Sequence, residues 1–81
     1  IRLKMIEFGD DELKIICEYK YIGDDLLVII SNENPHIGGV SLFCNNTYTI
    51  KKPNHKDHII SQKIAKQLGE ILKKDVLVIC G

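Results

Sequence analysis

A chain of 81 residues with 11 basic and 11 acidic side chains has no surplus positive charge to neutralise a phosphate backbone, which argues against a nucleic-acid binder. Its 44% hydrophobic and 27% charged content is that of one folded globular domain and excludes a disordered segment. No apolar stretch approaches the roughly 18–20 residues that span a bilayer, so no membrane partner is expected.

In chain order, Leu3, Met5 and Phe8 open an apolar segment that Gly9-Asp10-Asp11 closes, a strand followed by a hairpin turn. Leu13 to Tyr21, rich in β-branched and aromatic residues, is the second strand. Gly23-Asp24-Asp25 turns the chain into Leu26 to Ile30, an unbroken apolar run of the kind a central strand shows when both faces are covered. Ser31-Asn32-Glu33-Asn34-Pro35 ends it, because proline removes a ladder donor and biases Asn34 toward an extended backbone. Ile37 to Phe43, entered through Gly38-Gly39, is the fourth strand. Asn45-Asn46 reads as a turn, and Thr47 to Ile50 as a short strand or ragged edge.

The period then changes. Ile60, Ile64, Leu68, Ile71 and Leu72 recur at helical spacing with Ala65 on the same side, while Gln62, Lys63, Lys66, Gln67 and Lys73 fall mostly on the other. Asn54, after Pro53, reads as the N-cap with Asp57 three residues on, and Lys73-Lys74 suit the C-terminus. Val76 to Ile79 is a last buried strand. The order β-β-β-β-(β)-α-β predicts an α+β fold, an antiparallel sheet of five to six strands with one amphipathic helix packed on one face, and residues 1–81 as a single domain.

One helix leaves the second face of such a sheet open. A homodimer is the simplest cover, and a chain extension is another. The sequence opens at Ile1 without a Met and stops just after an apolar strand, so truncation at one or both ends is expected. Lys4, Glu7, Asp10 and Asp11 break up any signal-peptide pattern. Cys17, Cys44 and Cys80 lack C-x-x-C spacing and sit in strand-like contexts, which reads as buried free thiols in a reducing compartment. A cytoplasmic protein is expected.

Two polar clusters could carry function. One is Asn34-Pro35-His36-Ile37-Gly38-Gly39, where paired glycines let backbone approach a ligand or simply form a bulge or packing point. The other is His55-Lys56-Asp57-His58 with Ser61, a helix start whose free N–H groups and nearby Lys51 and Lys52 suit an anion, or a plain solvated helix start. His36, His55 and His58 could meet, with Asp57 as a fourth ligand. Yet His55 and His58 stand three apart rather than four, no H-E-x-x-H is present, and no metal is expected. Ser31, Ser41 and Ser61 lack a G-x-S-x-G setting, and there is no dinucleotide or Walker loop, so no catalytic residue is assigned. The residues suit a ligand cradle better than a reaction centre.

At these clusters the chain resembles a known family. Gly23-Asp24-Asp25-Leu26-Leu27-Val28-Ile29-Ile30, then Asn34-Pro35-His36-Ile37-Gly38, then His55-Lys56-Asp57 with Ile60-Ser61 and Ala65-Lys66, are similar to the small accessory proteins of gallate decarboxylase, the LpdD-like prenylated-flavin chaperone domains. The likeness runs from about Tyr21 to Gly81, where Val78-Ile79-Cys80-Gly81 matches the start of a segment that continues in the family. The connection from Cys44 to Pro53 carries no family signature, and residues 1–20 match only in general character. The resemblance implies a non-catalytic accessory protein that binds prenylated FMN or FMN and delivers it to a UbiD-type decarboxylase subunit. It marks Asn34, His36, Gly38, His55, Lys56 and Asp57 as cofactor-binding, with Gly39 and Ser61 beside them in the same clusters. Two other classes stay open: an interaction or assembly-chaperone module without a small ligand, and a small metal-dependent enzyme using His36, His55 and Asp57.

Overall fold

The computed structural model describes residues 3–9 and 13–81. Its elements are β1 (Lys4–Gly9), β2 (Lys14–Ile22), β3 (Asp25–Ser31), β4 (Gly39–Cys44), β5 (Asn46–Lys51), α1 (Asp57–Leu72) and β6 (Val76–Cys80). The six strands form one sheet in the order β1-β2-β3-β6-β4-β5, so the α+β expectation holds. Asp10 and Asp11 of the expected first turn lie outside the described residues, although β1 and β2 pair antiparallel as that turn requires. Gly23 at φ 60° makes the second turn, a backbone that glycine adopts without the steric cost a Cβ would bring.

The sheet is mixed, and in this it departs from the antiparallel expectation. β6 runs parallel to β3 and antiparallel to β4, because it inserts between them after the helical crossover. Pairing with so distant a partner leaves no local pattern for sequence to reveal. The ragged Thr47–Ile50 segment is a full strand, since β5 pairs with β4 from Asn46 to Lys51.

Alternation along the strands sorts side chains onto two faces. Toward α1 point Leu26, Val28, Val76, Val78 and Cys80, all buried, and Leu26, Val28, Val76 and Val78 join Ala65 as the core. Phe43, Cys17, Tyr19, Ile30, Ile64 and Leu68 are half-buried around it. Toward the other side point Leu27, Ile29, Leu77 and Ile79, which are half-buried, together with Val40, Leu42, Tyr48 and Ile50. The run Leu26 to Ile30 is therefore covered on one face by the helix and less fully on the other.

The helix buries only part of the expected stripe: Ala65 is in the core and Ile64 and Leu68 pack half-buried against it. Its buried positions are Ser61, Ala65 and Gly69, spaced four apart, while Ile71 and Ile60 are 75% and 49% exposed. Small residues on this line let the helix lie close to the sheet. A Cβ at Gly69 would overlap the Phe43 ring, and the Ser61 hydroxyl reaches the Ser41 hydroxyl at 2.9 Å. Ser41 is also 3.0 Å from Thr49 Oγ1, and Ser61 donates to the His58 carbonyl at 3.1 Å, so these buried hydroxyls are satisfied.

The caps differ in detail from the expectation. The N-cap is Lys56 rather than Asn54, and no side chain caps it. Asn54 instead takes a left-handed backbone, φ 62°, which asparagine tolerates, and the Lys52–His55 turn, His55 N to Lys52 O at 3.2 Å, delays the helix to Asp57. At the other end Lys73 is left-handed, with its N–H bonded to the Gly69 carbonyl. α1 packs over β4, β5 and β6, so the β1–β2 hairpin extends past the helix.

Candidate functional site

The β3–β4 connection and the start of α1 meet at one end of the sheet. Backbone bonds hold them there: Gly81 N to Ile30 O at 3.0 Å, Gly38 N to Cys80 O at 2.9 Å and Lys52 N to Gly38 O at 3.4 Å. Both glycines of the Gly-Gly pair are buried against the helix start. A Cβ on Gly38 would run into the Asp57 carboxylate, and one on Gly39 into the His58 backbone. The absence of side chains thus lets strand β4 enter directly beneath the first turn of α1.

Each histidine is then fixed by its own loop. Asn34 N–H donates to Asn32 Oδ1 at 2.9 Å, an Asx turn, and His36 Nδ1 sits 2.9 Å from the Asn34 carbonyl. Across the site, His55 Nδ1 lies 2.8 Å from the Pro53 carbonyl. A carbonyl can only accept, so Nδ1 is the donor in both rings, and the neutral form of each leaves Nε2 as the acceptor. The two rings are 5.3 Å apart and tilted by 55°. Asp57 Oδ2 is 3.9 Å from His36 Nε2, and ligand atoms of His36, His55 and Asp57 all lie within 4.8 Å of one another.

The structure therefore brings His36, His55 and Asp57 together, with Asn34 contributing backbone groups and Gly38 supporting Asp57 from behind. Lys56 stands exposed at the N-cap beside them. Gly39 and Ser61 are placed inside the packing, Ser61 fully buried. His58 does not join the cluster, and its Nδ1 is buried without a hydrogen-bond partner.

Beside this polar end runs an apolar groove of about 430 Å³ between the overhanging hairpin and the helix. Phe8, Ile15, Cys17, Ile30, Ile60 and Ile64 line it, and Asp57, Cys80 and Gly81 close the end next to the histidines. Burial raises the Cys80 thiol pKa first, and the Asp57 charge raises it further. Burial likewise lifts Cys17, with a smaller contribution from Glu18. Both thiols stay protonated at neutral pH and behave as groove lining rather than as nucleophiles. Sequence reading missed the groove. Its signal was present, since Phe8, Ile15 and Cys17 share one face of a hairpin for which the short helix has no matching cover. Among the described residues, no helix is long and apolar enough to cross a membrane.

A family model described as the prenylated flavin chaperone LpdD-like domain matches residues 9–81. The chain is also 35% identical over 68 residues to Protein LpdD of Lactiplantibacillus plantarum, an alignment covering 74% of this chain and 50% of that protein. The chain thus spans about half the length of the curated relative it matches. It belongs to the LpdD-like prenylated flavin chaperone family.

Proposed function

We propose, from that membership, that the chain is a non-catalytic carrier that holds prenylated FMN and passes it to a UbiD-type decarboxylase subunit. The observation that carries the reading is the junction of an apolar groove with a polar, histidine-bearing end at Asp57. A prenylated flavin has the matching division, a largely apolar fused-ring system at one end and a ribityl phosphate at the other. A volume of about 430 Å³ lies within the ordinary range for small-molecule sites. In this arrangement the ring and prenyl group lie against Ile15, Ile30 and Ile64. The phosphate lies near Lys56 and the first N–H groups of α1, where the helix dipole favours an anion. His36, His55 and the Asn34 backbone border the phosphate end, and Gly38, Gly39 and Ser61 hold that end in place from inside the packing.

A carrier needs no reacting group of its own. Its tasks are to shelter an oxidisable ring from water and to release it intact, which an open-sided groove allows. The test is anaerobic co-expression with a flavin prenyltransferase, followed by absorbance and mass spectrometry of the purified protein. Stoichiometric prenylated FMN is expected, reduced at least about tenfold in occupancy by Lys56→Ala through loss of a charge-assisted phosphate contact. Ile15→Glu, at a groove position 39% exposed, is expected to remove the ring's seat while leaving the fold intact. A colourless protein that still co-purifies with a decarboxylase would replace the carrier reading with an assembly role. The apolar sheet face opposite α1, with Tyr48 58% and Ile50 71% exposed, is the feature that favours that second reading.

A further inference from the structure

We propose that His36, His55 and Asp57 form a binding site for one divalent transition-metal ion. Three side chains from two separate segments converge, with their ligand atoms within 4.8 Å of one another. Both imidazoles are held in the same way: Nδ1 is tied to a backbone carbonyl two residues earlier, at 2.9 Å for His36 and 2.8 Å for His55. This is the support that metal-ligating histidines characteristically receive, since it fixes the tautomer, orients the ring and leaves Nε2 as the donor. With Nδ1 engaged, each neutral imidazole offers Nε2 as a lone-pair donor, and the Asp57 carboxylate offers oxygen. The gap from His36 Nε2 to Asp57 Oδ2 is 3.9 Å, beyond hydrogen-bond length. Metal–nitrogen bonds of about 2.0–2.1 Å set neighbouring ligand atoms about 3.3 Å apart, so a cluster whose ligand atoms lie within 4.8 Å of one another must contract to close on an ion.

Two imidazoles and one carboxylate suit zinc, iron(II), cobalt(II) or manganese(II) rather than calcium or magnesium, which take oxygen ligands. Three protein ligands leave coordination positions open, and Asp57 also lines the apolar groove, so the cluster adjoins it. The helical spacing of His55 and His58 gave no reason to expect a metal. The third ligand is His36, which the fold brings in from the β3–β4 connection. Resting on the carrier reading is one consequence: an ion here would neutralise the Asp57 charge that otherwise repels a ligand phosphate, and would offer that phosphate an open position.

The experiment uses untagged, chelator-stripped, flavin-free protein titrated with cobalt(II), followed by its visible d–d absorption and by calorimetry. The expected result is saturation at one ion per chain, weakened at least about tenfold by each of His36→Ala, His55→Ala and Asp57→Asn. Circular dichroism of the metal-free variants establishes that each is folded, and a weakened variant that has lost its fold is replaced by His36→Gln or His55→Gln. No saturable binding, binding indifferent to all three substitutions, or an intense near-ultraviolet thiolate-to-cobalt band overturns the proposal. Prenylated FMN retained by metal-free protein that binds no cobalt would sink the metal site and leave the carrier intact. Cobalt bound as expected by a protein that never acquires flavin would do the reverse.

Discussion

At the scale of single residues, the molecule spends its small side chains on proximity. Gly38 and Gly39 lie under the first turn of α1, and Gly69 stands in its last turn facing the sheet, each where a Cβ would collide with Asp57, His58 or Phe43. The Gly-Gly pair was visible in the sequence, but whether it served a ligand or a packing contact depended on Asp57 and His58, residues far along the chain. His36 and His55 were legible as candidates for the same reason that their partnership was not, since nothing local says that two loops meet. The two groove thiols give a pH prediction. Their folded-state pKa values are raised, chiefly by burial, so the unfolded chain ionises first as pH rises. The stabilisation is fully present below the ordinary thiol pKa and is lost as pH climbs through the raised, folded value. Alkylation of Cys17 by iodoacetamide, mapped by mass spectrometry across pH, should therefore rise at a higher pH in the native protein than in urea. Coincident profiles would mean that the groove leaves this thiol solvated.

At the scale of elements, each expected strand is present and the helix occupies its expected stretch, because alternation and helical periodicity are local signals. What escaped was that small residues, Ser61 and Gly69, make the closest contact with the sheet. Of the expected stripe Ile60, Ile64, Leu68, Ile71 and Leu72 with Ala65, the middle faces the core, while Ile60, Ile71 and Leu72 stay exposed and the fully buried line is Ser61, Ala65 and Gly69. Close approach to Phe43 and Ser41 outweighed the area the larger side chains would have buried. The helix start also departs from its sequence pattern, since Lys56 takes the N-cap without a side-chain cap. The other terminus carries a correctable cost: Lys73 is left-handed at φ 55°, a conformation that costs a non-glycine residue about 1 kcal/mol. Lys73→Gly should raise stability by about that amount in urea denaturation, with an unchanged m-value, as no contact surface is altered. A loss of stability would mean that the Lys73 side chain contributes more to the native state than its backbone costs.

At the scale of the whole molecule, the helix shields only part of one sheet face. The uncovered part of that face, under the hairpin, is the groove. The opposite face presents Val40, Leu42, Tyr48 and Ile50 around a half-buried centre of Leu27, Ile29, Leu77 and Ile79. A homodimer through this face is proposed on the ground that a contiguous apolar surface of this kind is costly to leave in water. Light scattering should give twice the chain mass for the native protein and a monomer for Ile50→Lys, whose side chain is 71% exposed and whose replacement leaves the core untouched. A native protein that runs as a monomer would assign the face to another partner. The sequence raised the expectation of a second cover, because a single helix cannot serve two faces, but the identity of such a cover is not a property of periodicity.

The position of β6 has a consequence for how the chain reaches this state. Leu26 pairs with Val76, and on its other side β6 pairs with β4, Leu42 lying against Leu77. The β1–β3 meander and the β4–β5 hairpin share no ladder except through β6. During synthesis both modules leave the ribosome before the strand that joins them, each carrying an open edge of unpaired amides and carbonyls. The chain therefore passes through an interval in which it is two sticky half-sheets, and its exposure to wrong pairing ends only when β6 emerges and slides between them.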